Sequence, residues 1–303
     1  KVRLRRVVPT GSLTVYALEF DRQRTPADIA YALWTPRGQA RLVFDFGKDT
    51  ESTFVETYGQ EKKIKTVGGK ATVTTSTSPT YLITTVPANQ VTVTQRTYPE
   101  DLPPANFKPA SRMDRLEDWV KVTDYSLYSD FSRRGDFTLR QVTDPEKGPC
   151  LELELNKTSE LPALVSEYTA IKLKQPVEVL GSPHTIGVWV KGNSSWSKIC
   201  FEIVDSQGRF WRSWGGYHDW AGDLCINFDG WRFVRFFIDP ERSPIRNVSP
   251  GRQWESNGGG NWPPAYPIKI SGLYVQMKRK AIDPVEMREV LPVLRFKDIG
   301  AYE

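Results

Sequence analysis

Apolar and polar positions alternate along most of this 303-residue chain, and almost nowhere do they repeat at helical spacing. Leu13–Leu18, Ala30–Trp34, Ala40–Phe44, Ala71–Thr74, Thr80–Thr84 and Val91–Thr94 read as short strands. Turn residues separate them: Pro36-Arg37-Gly38, Gly47-Lys48-Asp49, Gly68-Gly69, Pro79 and Pro87. Short strands at this spacing predict a small antiparallel sandwich over the first hundred residues. The only helix candidate there is a brief turn at Pro26-Ala27-Asp28-Ile29. Residues 97–113 follow as a proline-stiffened connection through Pro99, Pro103, Pro104 and Pro109. The pattern therefore divides the chain into residues 1–107, a sandwich plus linker, and residues 108–303.

The second part is again a run of strands. Leu151, Leu153 and Leu155 point one way and Glu152 and Glu154 the other. Ile186–Val190 and Ile199–Val204 are apolar nearly throughout, which predicts central strands, and Asp205-Ser206-Gln207-Gly208 reads as a hairpin turn. Trp231–Ile238, Ile268–Met277 and Val293–Ile299 complete the set. Eight to ten strands in this length predict a two-sheet jelly roll. The fold class is thus all-β, two β-sandwich domains with the second a jelly roll.

Composition narrows the function classes. Net charge is +5, with 14 Lys and Arg against 10 Asp and Glu in residues 1–107 and 27 against 26 in the rest. Without a concentrated basic stripe, the chain is not expected to bind nucleic acid. No apolar run reaches membrane-spanning length, so no membrane partner is expected. The opening Lys-Val-Arg-Leu-Arg-Arg lacks an initiator Met, and we read the chain as a piece of something longer. Cys150, Cys200 and Cys225 leave at least one free thiol; a Cys200–Cys225 bridge is compatible with the pattern.

The densest chemistry lies in Arg209–Trp220, which holds Trp211, Arg212, Trp214, Tyr217, His218, Asp219 and Trp220 around Gly215-Gly216. Flat rings beside Arg, His and Asp are the components of a sugar-binding surface: rings cover pyranose C–H faces while polar groups bond hydroxyls. Trp254, Trp262 and Tyr266, flanking the Gly258-Gly259-Gly260 loop, extend the candidate set. Trp34, Trp119, Trp189 and Trp231 read as core, while Trp196 sits on a turn and is open to either role. No nucleophile elbow, phosphate loop or singled-out carboxylate pair is present, so catalysis within the chain is not expected. Asp298 shares strand parity with the inward Leu294 and Phe296, and a buried carboxylate needs a partner or a cation.

Two resemblances add to this reading. Tyr31-Ala32-Leu33-Trp34, Val43-Phe44-Asp45-Phe46-Gly47 and Ser78-Pro79-Thr80-Tyr81-Leu82 resemble the accessory sandwich that follows the catalytic barrel of many glycoside hydrolases. Asp114–Trp119, Leu151–Leu153, Gly187–Gly192, Phe201–Asp205, Phe228–Trp231 and Phe296–Ile299 resemble galactose-binding-like jelly rolls that serve as carbohydrate-binding modules. The resemblance implies a non-catalytic module that takes a polysaccharide or oligosaccharide as partner. It also implies a catalytic domain in the same larger polypeptide, an extracellular or secreted setting, and a structural calcium ion held by Asp114 and Asp298. A purely structural or oligomerising sandwich, or a jelly-roll hydrolase or lyase, remain the alternative classes.

Overall fold

A computed structural model describes residues 1–23, 28–99, 102–122, 132–156, 166–213, 224–238, 254–256, 263–278, 281–282, 289–290 and 293–303. The protein is all-β: among the described residues the only helical element is a single 3-10 turn, Leu116–Asp118. Two compact units form: Lys1–Glu100 with Asn227–Asp229 and Ile282–Glu289, and Asp101–Ile226 with Gly230–Ala281 and Val290–Glu303.

The first unit contains β1 (Val2–Val7), β2 (Tyr16–Arg22), β3 (Asp28–Trp34), β4 (Gln39–Asp45), β5 (Glu51–Val55), β6 (Glu61–Lys65), β7 (Lys70–Thr75), β8 (Thr80–Thr84) and β9 (Gln90–Thr97). They make a six-stranded sheet, β1-β2-β3-β8-β5-β6, and a three-stranded sheet, β7-β4-β9. The alternation seen in the sequence closes one core between them, around Leu33, Leu42, Phe44, Val73, Leu82 and Val91. Tyr31 lies in that core with its hydroxyl fully employed: it donates to Glu19 Oε2 at 2.8 Å and accepts the Ala88 N–H at 2.7 Å. Arg6 clamps the same Glu19 at 2.9 Å. The proposed turn at Pro26–Ile29 is not helical where it is described, since Asp28 and Ile29 open β3; Pro26 and Ala27 lie outside the described residues.

The second unit contains β10 (Trp119–Val122), β11 (Ser132–Arg134), β12 (Phe137–Asp144), β13 (Gly148–Leu155), β14 (Ser166–Val179), β15 (Thr185–Asn193), β16 (Ser197–Val204), β17 (Phe210–Ser213), β18 (Cys225–Ile226), β19 (Asp229–Phe237), β20 (Trp254–Ser256), β21 (Ile268–Lys278) and β24 (Val293–Tyr302). The short β22 (Ala281–Ile282) and β23 (Glu289–Val290) pair only with each other. An eight-stranded sheet runs β10-β14-β21-β16-β17-β20, with β11 beside β14 and β18 beside β16; a five-stranded sheet runs β12-β13-β24-β15-β19. Leu151, Leu153, Val188, Val190, Leu294 and Phe296 from the smaller sheet meet Ile171, Ile199, Phe201, Ile203, Leu273 and Val275 from the larger, all buried. This is the jelly-roll sandwich, its core filled from alternating positions of both sheets.

Residues 102–111 contribute packing as well as length. Phe107 sets its ring edge-on to Phe233 (centroids 5.1 Å apart) and Tyr302 (5.8 Å). Gly300 permits this approach, because a Cβ there would come within 2.9 Å of Phe107 and of the Lys108 carbonyl oxygen.

Candidate functional site

The aromatic stretch is anchored along one strand. β17 pairs with the end of β16 through Glu202↔Arg212, Ile203↔Trp211 and Val204↔Phe210. β18 pairs with its beginning through Ser197↔Ile226 and Lys198↔Cys225. Since β21 occupies the opposite edge of β16, Ser213 and Leu224 are both held along a single edge. Trp214, Tyr217, His218, Asp219 and Trp220, which lie between them, and Trp262 fall outside the described residues.

Two of the expected stacking rings are instead core. Directly opposed residues share a sheet face, so Trp211 faces the inter-sheet core with Ile203, and Trp254, opposite Ser213, follows it. Both are 1% exposed. Each indole N–H has an acceptor: buried Asp205 Oδ2 at 2.9 Å for Trp211 and the Phe237 carbonyl at 2.8 Å for Trp254. Trp254 also packs on Phe236 of the other sheet. The sequence could not separate them from exposed rings, because a four-residue strand beside a glycine-rich segment has too little alternation to show its phase. Tyr266 is half-buried and donates to the Pro183 carbonyl at 2.8 Å.

Asp205 ties this region together. Its carboxylate accepts the Gln207 and Arg209 N–H groups, the Arg209 guanidinium at 2.7 Å, the Trp211 indole and the Ala265 N–H. Burial works against its charge, but these donors outweigh it and hold the carboxyl down at about 2.

Arg212 stands on the opposite, outward face of the larger sheet, where its partner is Glu202. Glu202, 2% exposed, accepts from Arg212 Nε at 3.2 Å, Lys172 Nζ at 2.8 Å and Ser271 Oγ at 2.7 Å. Lys172 lies over the Phe210 ring at 5.3 Å. On the same face Tyr168 and Tyr274 stack, with centroids 5.3 Å apart, in a buried cluster with Ala170 and Cys200. Sequence reasoning missed Lys172, Tyr168 and Tyr274. One signal was available: a Glu in the middle of Ile-Cys-Phe-Glu-Ile-Val must find cationic partners to remain in such a strand.

One of the two candidate calcium ligands, Asp298, stands at a bulge. β15 and β24 pair Gly187↔Gly300 and then Trp189↔Lys297, so Asp298 and Ile299 together oppose Val188. The extra residue reverses the strand's phase. Ile299 takes the buried side, and Asp298, at φ 51°, is only half-buried. The inward parity expected of Asp298 is thus corrected by this one-residue shift. Its N–H donates to the Arg112 carbonyl at 3.1 Å, and Ile299 pairs with Ser111, which brings Asp114 toward it. Burial pushes the Asp298 carboxyl up, and Asp114 adds to that, against Lys297, Lys147 and Arg112. Among the described residues no three His, Cys, Asp or Glu side chains gather as a metal cluster.

The outward face of the smaller sheet carries a ladder of alternating charge. Arg140 and Arg295 flank Glu152, and Arg295 (2.6 Å), Lys191 (2.8 Å) and the Trp231 indole (2.9 Å) converge on buried Asp144. Burial opposes the Asp144 charge, yet these donors hold its carboxyl well below the usual range. Trp189, half-buried, packs against Phe233 and carries the Lys147 ammonium 3.5 Å from its ring centroid. Cys150, Cys200 and Cys225 are buried, and no disulfide joins Cys200 to Cys225.

No family model matches the chain, and no curated protein matches it in sequence. Among solved structures it is similar to a family 11 carbohydrate-binding module of the cellulosomal cellulase Lic26A-Cel5E of Clostridium thermocellum, at 12% identity over 64% of this chain and 93% of that chain, TM-score 0.36. It is also similar to TmCBM61 (11% identity, 65% of this chain, 99% of that chain, TM-score 0.28). A third is the enzymatically active domain of bacteriophage CBA120 tailspike protein 4 (8% identity, 63% of this chain, 20% of that chain, TM-score 0.30). These likenesses are faint, and the fold assignment rests on the sheets themselves.

Proposed function

We propose that the second unit binds carbohydrate without transforming it. The observation that carries this reading is the anchoring of the ring-rich 214–223 stretch at both ends to one edge of β16. Arg212 and the Glu202–Lys172 pair supply fixed charge on the outward face that also carries the stacked Tyr168–Tyr274 pair.

On this reading the chain serves a larger polysaccharide-degrading enzyme in an extracellular setting, keeping a catalytic domain near its substrate by raising effective concentration. Asp114 and Asp298 would hold a structural calcium ion. The test is affinity electrophoresis of the full chain in gels containing soluble polysaccharides, with calcium and with chelator. The panel includes a mixed-linkage β-1,3-1,4-glucan and a β-1,4-galactan, the linkages bound in solved complexes of the family 11 module and TmCBM61. Retardation by one class supports the proposal. Unretarded migration of folded protein through the whole panel refutes it and favours the structural reading, to which the burial of Trp211 and Trp254 already lends weight.

A further inference from the structure

Trp196 is the one tryptophan among the described residues that is exposed, at 45%. It closes the turn between β15 and β16, at φ 55°, with Ser194 at φ 54°. Left-handed backbone at a bulky residue is unfavourable, and a turn that only reverses the chain takes Gly or Asn there. The surroundings hold the turn in place. Ser194, Ser195 and Ser197 are buried, the Ser195 and Ser197 hydroxyls lie 2.7 Å apart, and the Trp196 N–H donates to the Ile226 carbonyl at 3.0 Å. The serines therefore point inward while the indole stands outside on a fixed base. Ile226 belongs to β18, the strand by which the aromatic stretch rejoins the sheet.

We infer that Trp196 is a sugar-stacking platform, a ring presented beside β18 to the C–H face of a pyranose residue. The inference rests on the carbohydrate-binding reading and adds a residue to it. Backbone strain held by an over-determined turn is what a pre-oriented contact requires, because the ring gives up little freedom when ligand arrives. The ring's apolar faces and single N–H suit a sugar with apolar patches and hydroxyls.

The test is affinity electrophoresis of the full chain and of W196A, W196Y and W196G in the polysaccharide panel, with thermal unfolding run in parallel. W196A is expected to weaken binding about tenfold with Tm unchanged, and W196Y to keep most of it. W196G removes the ring while relieving the left-handed strain, so its expected pattern is lost binding with Tm equal to or above wild type. Wild-type retardation that persists undiminished in W196A and W196G overturns the assignment of Trp196 and leaves the site reading in place. No retardation of wild type by any polysaccharide overturns the site reading and this inference with it.

Discussion

Replacing Asp205 by Asn removes one charge from a fully buried carboxylate while keeping its shape. In the folded protein the carboxyl is held down at about 2 against a reference of 3.8, a difference of nearly two units, or about 2 kcal/mol. The amide also turns an NH2 toward donors that Oδ2 now accepts from, Trp211 Nε1 and Arg209 Nε. This brings the expected loss to about 3 kcal/mol. For a unit of this size that is a Tm lower by roughly 6–12 °C. The pH dependence isolates the charge. Because the folded pKa lies below the unfolded one, the stabilisation is complete above the unfolded value and is lost as pH falls through the folded value. At pH 3 about half of the charge contribution survives, so the gap between wild type and D205N narrows by about 1 kcal/mol from its value at pH 7. Urea denaturation of both proteins at pH 7 and pH 3 measures this. A gap below about 1 kcal/mol at pH 7, or one equal at the two pH values, refutes the role given to the Asp205 hub.

Y31F leaves the buried Ala88 N–H without its acceptor and Glu19 with the arginine donors alone, which costs about 1–3 kcal/mol by denaturant unfolding. The Tyr31 phenol, with its pKa pushed up to about 12 by burial, stays protonated through pH 11 in an ultraviolet titration. G187A drives a Cβ to 2.4 Å from the Phe233 ring and destabilises the second unit, seen as a lower midpoint in thermal unfolding. Calcium, added to chelator-treated protein, raises the Tm of the wild type and not of D298N; equal shifts for both assign the ion elsewhere.

The interior strands were legible because one face of each is dry. Tyr31, Leu42, Val73 and Leu82 lie on strands whose alternation the sequence displays, and the structure buries them together. β1 and β6 were invisible for the opposite reason. Both are edge strands, with Val2–Val7 exposed throughout and Lys62, Lys63 and Lys65 facing solvent, so no periodicity distinguishes them from loop. β14 was missed because Lys172, Lys174 and Pro176 interrupt its apolar positions, and Lys172 is there for Glu202 rather than for water. The phase of Asp298 was misread because a bulge leaves no mark in the sequence. At the candidate site, residue types were legible and directions were not. Trp211 and Trp254 differ from Trp196 only in the register of the strand or turn that carries them.

The pairing of β17 and β18 along one edge of β16 has an evolutionary corollary. The described residues on either side are fixed: Trp211 sits in the core, Ser213 Oγ accepts the Phe201 N–H at 2.7 Å, and Ile226 is locked opposite Ser197. Whatever sequence runs from 214 to 223 starts and finishes at fixed points, and doubling the length of such a loop costs only about 0.6 kcal/mol. A longer connection between these two points therefore costs little in closure entropy. If the carbohydrate-binding reading holds, ligand preference can change between these two points while the strands that bracket them stay as they are.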